Sequence, residues 1–330
     1  MSRILSLSML ALFFTASLNA SELEIELLAM DRDAPDGTNI TGPDDVGDDF
    51  LLVEPDDVDP GTTGGIRVNF KTEISGRNFI FSGFWMDPFH EKGLFGDGNA
   101  GVLETNMTYD NDAHLNPGSD VGSTQNSDDI EWLHLEHKTE LYGAEANYII
   151  PLRNKTSLDQ QFYVGLRGLY FGEELDATAY DELNDLQGTD NDIDRTEIET
   201  TNKLLGIQIG VEGKKAITSK VGFEWDAKYG IYANLVERDR SFSRDDSATD
   251  RFSDNIDDTN VAQVLEINPK LNVMLSKNAI LTFGGTIMYI HGVSEAGDHF
   301  ATLTDFQDRK IRDDGEVLFY GLSAGLKVNF

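Results

Sequence analysis

The chain closes with Leu318-Phe319-Tyr320-Gly321-Leu322-Ser323-Ala324-Gly325-Leu326-Lys327-Val328-Asn329-Phe330. Every second residue is apolar: Leu318, Tyr320, Leu322, Ala324, Leu326, Val328 and Phe330. The set between them includes Gly321, Ser323, Gly325, Lys327 and Asn329. A period of two over this length describes a strand with one face in an apolar medium and the other against polar groups.

The same alternation recurs along the chain. Ile66, Val68, Phe70 and Ile74 alternate with Arg67, Asn69, Lys71 and Glu73, and Phe79, Phe81, Gly83 and Trp85 follow the turn Ser75-Gly76-Arg77. Tyr142 to Ile150, Phe162 to Tyr170 and Leu205 to Val211 repeat it, as do Val221 to Leu235, Leu265 to Leu275 and Ala279 to Ile290. With Leu23 to Met30 at the start, the count is about ten strands, within a range of 8 to 12. Leu133 and Leu135 fall out of register with Tyr142, which predicts a bulge or a membrane edge near His137 to Leu141. Weak strands at Phe50 to Val53 and Val102 to Tyr109 could add a hairpin.

Strands of more than ten residues with aromatic-rich faces point away from a water-soluble sandwich and toward a membrane. No stretch approaches ~20 consecutive apolar residues, so a membrane-spanning form must be a closed barrel, which alone among sheets satisfies every backbone group in lipid. The fold class expected is therefore all-β, a closed antiparallel transmembrane barrel. The terminal segment resembles the closing strand of bacterial outer-membrane β-barrels, in which a terminal Phe, here Phe330, belongs to the signal read by the barrel-assembly machinery. At the other end, Met1-Ser2-Arg3, the apolar run Ile4 to Phe14 and small residues up to Ala20 form a secretory signal peptide, expected to be cut after Ala20. Residues 21–330 then form a single barrel domain in the cell outer membrane.

The net charge is −33 with no cysteine, which excludes disulfides and thiolate chemistry. Five polar segments (31–64, 87–130, 177–197, 239–259 and 293–315) carry 40 of the 59 acidic residues but 9 of the 26 basic ones, an excess of 31 negative charges. The short connectors instead hold Arg77, Arg153, Lys155, Lys214, Lys215 and Lys277, with Asp159 the one acid. Long acidic extracellular loops and short periplasmic turns are the outer-membrane pattern. So acidic a chain does not bind nucleic acid through phosphates, and its outer rim draws cations. Lipid and lipopolysaccharide are its expected surroundings; the sequence is silent on oligomeric state.

Three runs carry a narrower resemblance: Thr139-Glu140-Leu141-Tyr142-Gly143-Ala144-Glu145-Ala146-Asn147-Tyr148, Val164-Gly165-Leu166-Arg167-Gly168-Leu169-Tyr170-Phe171-Gly172-Glu173-Glu174-Leu175 and Thr201-Asn202-Lys203-Leu204-Leu205-Gly206-Ile207-Gln208-Ile209-Gly210. Their order is similar to that in a β-barrel porin family of planctomycete-type bacteria. The resemblance is spread over residues 130–330, implies a porin-like barrel and designates no functional residue.

The alternate face collects Arg67, Lys71, Arg167, Lys228, Lys270 and Lys327 against Glu73, Glu145, Glu173, Glu212, Glu224, Asp226 and Glu266. Two readings stay open for this set: a charged constriction selecting small cations or solutes, or an ion-paired filling of a narrow lumen. The first gives a passive, cation-favouring pore. The second gives a non-conducting barrel whose acidic loops serve surface structure, adhesion or divalent-cation binding. Asp190, Asp192 and Asp194 alternate as in a calcium loop, but Arg195 and Thr201 replace the Gly and Glu of an EF-hand. That leaves a solvated loop or loose Ca²⁺ or Mg²⁺ binding, and no cofactor is otherwise expected. The chain is not read as an enzyme. A barrel-rim hydrolase is the third reading, with His134-x-Glu136-His137 as its best acid–base candidate, though no Gly-x-Ser-x-Gly elbow is present. Trp85, Trp132 and Trp225 suit interfacial girdles.

Overall fold

The computed structural model describes residues 20–33, 53, 55–58, 61–96, 132–150, 159–180, 193–244, 251–299 and 311–330. They form strands β1 (Ala20–Arg32), β2 (Thr63–Ile74), β3 (Arg77–Met86), β4 (Phe89–Gly96), β5 (Trp132–Ile150) and β6 (Asp159–Tyr180). These are followed by β7 (Ile193–Ala216), β8 (Val221–Arg244), β9 (Arg251–Met274), β10 (Ala279–Val293) and β11 (Gly315–Asn329). Each strand is antiparallel to its neighbours, β1 pairs with β11, and β3 pairs with β5, so the sheet closes on itself. β3 and β4 act as one stave. The chain breaks at Asp87-Pro88, and the pairing with β5 moves from Trp85↔Tyr142 to Phe89↔Thr139, a one-residue bulge where proline cannot donate. The ring therefore has ten staves, the number expected.

One end carries the short connections. Ser75 (φ 53°) and Gly76 (φ 77°) are both left-handed, as a two-residue hairpin turn of the right twist requires. Residues 217–220 and 275–278 turn at the same end, where Phe330 N–H also reaches the Ser21 carbonyl at 3.3 Å.

The outward register follows the sequence pattern. Leu322 (72 % exposed), Leu205, Ile207, Ile209, Leu166, Ile231 and Phe283 lie on the outer surface, and Phe223 to Leu235 keep the register throughout. These residues define an apolar band. Above it the pattern inverts. The β5–β6 ladder runs unbroken from Ile150↔Phe162 to Trp132↔Tyr180, so β5 itself has no bulge at His137 to Leu141, and the extra residue there lies on the facing β3–β4 stave. Tyr142 faces outward within the band, whereas Leu141, Leu135 and Leu133 face inward above it. The register mismatch in the sequence is thus the edge of the band.

This inversion also corrects the polar segments. β6 extends to Tyr180 and β7 starts at Ile193, while β8 and β9 reach Arg244 and Arg251, so both ends of 177–197 and most of 239–259 are strand. Outward Glu197 and Asp239 are solvated and outward Asp176 pairs with Arg195, while Ala177, Ala179, Ile198 and Phe242 pack inside with Leu133 and Leu135. Val53 is buried but not in a strand; the other residues of the two weak-strand predictions lie outside the described residues. Residues 1–19 lie outside them too.

Candidate functional site

The barrel interior has a charged chamber at the turn end. β1 contributes Glu22, Glu24 and Glu26 on its inward face, because Leu23, Ile25 and Leu27 occupy the outward one. Glu266 is 1 % exposed and lies 2.6 Å from Arg167, 3.3 Å from Arg67 and 3.4 Å from Lys228. Lys228 also holds Glu145 at 3.0 Å. Arg67 and Arg167 flank the Phe84 ring, each guanidinium carbon 6.0 Å from its centroid. Nearer the end, Lys71 meets Glu212 at 2.6 Å, Lys327 meets Glu224 at 2.8 Å, and Lys270 meets Glu26 at 2.9 Å and Glu24 at 3.1 Å. Tyr163 donates to Asp226 at 2.5 Å. Most of these pairs join staves that are not neighbours, so they cross the lumen. A cavity of about 60 Å³ among these side chains leaves room for a few waters.

Above the chamber an apolar layer spans the barrel. The Phe171 ring on β6 and the Phe319 ring on β11 meet edge-on with centroids 6.1 Å apart, although these staves lie five positions apart in the ring. Phe89 packs on Phe319 at 5.6 Å, and Met30, Met288 and Leu141 complete the layer, all at most 2 % exposed. Higher still, the chain after β10 folds inward. Asn202 accepts from Ser294 N–H and donates to its carbonyl, Asn234 and Asn260 donate to the Gly292 carbonyl, and Glu173 accepts from Ala296 N–H. Gly292 itself has φ 81°, and a Cβ there would fall 2.6 Å from the Val261 carbonyl oxygen, so only glycine fits. Arg32 pairs with Glu173 and lies 3.4 Å from Glu295, tying β1 to the inward segment.

The expected site residues therefore divide. Arg67, Lys71, Glu145, Arg167, Glu212, Glu224, Asp226, Lys228, Glu266, Lys270 and Lys327 do face one chamber. Glu73 does not: it is exposed beside the Ser75-Gly76 turn. Glu173 lies above the aromatic layer with Arg32 and His137. Asp190 and Asp192 lie outside the described residues, and of Asp194 only the strand backbone is described. Among the described residues no cluster of three metal-ligating side chains occurs. Glu22, Glu24 and Glu26 escaped the sequence reading, although the alternation Glu22-Leu23-Glu24-Ile25-Glu26-Leu27 announces them, and Lys214, read there as a connector residue, lies in β7 and pairs with Glu212 and Glu224.

The histidine motif is taken apart by the pleat. Glu136 points outward and contacts His90 at 2.7 Å and Lys92 at 2.6 Å, while His137 is buried inside, 3.6 Å from Glu173. Burial pushes the His137 imidazole down to about 4, against the pull of Glu173. Burial opposes the charge of Glu173, but Arg32, His137 and the Ala296 N–H together more than offset this and hold the carboxyl below its usual range. Ser294 Oγ and His299 Nε2 are 2.7 Å apart, yet both are buried and the nearby Ser294 and Ala296 amides are already committed to Asn202 and Glu173. Burial and the cations Arg238, Arg240 and Arg312 lower His299 to about 3. Among the described residues this is a buried structural pair with no free amide beside it to serve as an oxyanion donor.

No protein-family model matches the chain, so the planctomycete-type porin resemblance gains no support there, and no curated protein matches it. Solved structures similar to it include the outer membrane protease OmpT from Escherichia coli (TM-score 0.44, 10 % identity, covering 96 % of this chain and 100 % of that one). The translocator domain of the autotransporter NalP from Neisseria meningitidis gives a TM-score of 0.38 at 10 % identity over 100 % of this chain and 96 % of that one. The toluene transporter TbuX of Ralstonia pickettii gives 0.26 at 8 % identity over 94 % and 90 %. These values are too low to transfer a role, and the site is read from its own side chains.

Proposed function

We propose that the chain is an outer-membrane β-barrel with a closed lumen, whose turn end faces the periplasm and whose acidic loop end forms part of the cell surface. One observation carries the closed state: side chains from opposite staves, Phe171 and Phe319, touch across the barrel. The ion pairs beneath them support the filled rather than the selective reading of the charged face. The role that follows is surface structure, adhesion or loose Ca²⁺ or Mg²⁺ binding by the acidic loops. Residues 1–20 act as the export signal, and Phe330, outward-facing and 74 % exposed at the end of the last strand, serves recognition by the assembly machinery. Deleting Phe330 is expected to deplete the heat-modifiable folded form in cell envelopes; undiminished folded barrel would reject that role.

A passive, cation-favouring pore for small solutes is the second reading, favoured by the 31 excess negative charges on the five polar segments. Planar-bilayer recording on refolded protein separates the two. The closed barrel predicts no unitary conductance. Steady conductance with a reversal potential favouring cations would overturn it and restore the pore. The hydrolase reading loses its adjacent acid–base pair, since Glu136 and His134 face outward on β5 and His137 faces inward.

A further inference from the structure

The cations on the outer surface divide sharply by height. Above the apolar band, Lys92 holds Glu136 at 2.6 Å, Lys138 holds Glu140 at 3.0 Å, Lys203 holds Glu237 at 2.6 Å, and Arg195 pairs with Asp176. Below it, Arg77, Lys215, Lys220 and Lys277 are exposed and pair with no carboxylate among the described residues. Arg77 and Lys215 share the outward register with the band, opposite Ile74 and Phe223 respectively. Beside them stand exposed apolar side chains: Ile74 at 49 %, Ile217 at 59 % and Leu275 at 61 %. The acids Glu22, Glu212 and Glu224 at this end face inward and are taken up by Lys71, Lys214 and Lys327. Glu73 and Asp159 are the exposed ones.

Unmatched cations on long stems beside exposed aliphatics fit a ligand with a negative head and an apolar tail. Lysine and arginine there can lay their methylenes along the hydrocarbon and keep the charge at the headgroups. We infer that the turn-end rim, centred on Arg77, Lys215, Lys220 and Lys277, binds anionic phospholipid in the leaflet it contacts. This rests on the membrane reading above. The loop-end rim, its cations neutralised among the described residues, has no such preference. An acidic soluble protein is the other candidate partner, but it would leave Ile217 and Leu275 without an apolar counterpart.

Trp225 provides the probe, since it faces outward on β8 close to this rim, opposite Gly213. In protein with Trp85→Phe and Trp132→Phe, quenching of Trp225 by brominated phosphatidylglycerol is compared with quenching by brominated phosphatidylcholine in mixed vesicles. Each surface cation contributes about fivefold to attraction by an anionic membrane at most, so an overall preference of several-fold is expected at low salt. It should fall toward one in 1 M salt, and toward one at low salt with Arg77→Gln, Lys215→Gln, Lys220→Gln and Lys277→Gln combined. A preference near one with the rim intact overturns the inference, as does a preference that survives 1 M salt. The salt arm needs no variant and so stands even if the fourfold variant folds poorly. Absence of quenching by either lipid would instead reject membrane insertion itself.

Discussion

Glu266→Gln is the substitution that reads the interior most directly. The carboxylate is 1 % exposed and shared by Arg167 at 2.6 Å, Arg67 at 3.3 Å and Lys228 at 3.4 Å, with Asn268 donating to it at 2.9 Å. Glutamine keeps the shape and removes the charge. Arg167 is then left with Glu145 at 3.7 Å, and Arg67 with the neutral oxygens of Asn268 and Thr286. Removing one partner of a buried ion pair costs about 3–5 kcal/mol, because the charge left behind stays desolvated. The same change at Glu237, half-exposed and paired with Lys203, should cost under about 1 kcal/mol. Arg167→Met should cost about as much as Glu266→Gln. The double variant should cost less than the sum by about 1–3 kcal/mol, since the two groups are in contact. The measurement is urea unfolding of the barrel in lipid vesicles, followed by tryptophan fluorescence. If Glu266→Gln costs no more than Glu237→Gln, or the double variant is additive, the chamber is water-filled and the interlocked lumen is refuted.

Ala227 faces outward between Val211 and Ile267, within the apolar band, so Ala227→Arg should cost about 2–4 kcal/mol in the same unfolding assay, against about 0–1 for outward Ser241→Arg above the band. Equal costs would misplace the band. Gly230, on the inward face, is a poor control because a Cβ there would lie 2.6 Å from the Tyr232 hydroxyl. Buried His137 titrates near 4 in the fold and near 6.5 unfolded, so the unfolded chain binds its proton first as pH falls. Stability should therefore drop between about pH 6.5 and 4, by about 3 kcal/mol from this group, and His137→Gln should flatten that part of the profile. An unchanged profile would show that His137 is not held neutral.

What the sequence disclosed and what it hid have separate physical causes. Within the band, lipid outside and charge inside give the strongest contrast a strand can show, so β8 and β11 were readable residue by residue. Above the band, both faces mix small, polar and apolar residues. Ala177, Ala179 and Ile198 then look like scattered loop residues until the ladder places them on one side. Strand ends at Tyr180 and Arg244 were missed for that reason. Facing direction within the chamber was legible, but partnership was not: Lys71 and Glu212 are 141 positions apart, and alternation carries no information about which staves oppose each other. The segment after Val293 reads as one more polar loop because its folding inward depends on Asn202, Asn234 and Glu173 from distant strands.

The length of the staves above the band has a consequence for how charge is felt. β8 continues for nine residues from Leu235, the last outward apolar residue on it, to Arg244. At ~3.3 Å per residue and a tilt of about 40°, its tip stands roughly 20 Å beyond the hydrocarbon edge. Exposed charges are screened over about 8 Å at physiological ionic strength. The tip of β8 at Arg244 thus stands more than two screening lengths from the hydrocarbon edge. Charge carried at that height is screened from the lipid phosphates around the barrel's waist, and an ion arriving from outside meets it before it meets the membrane's own potential.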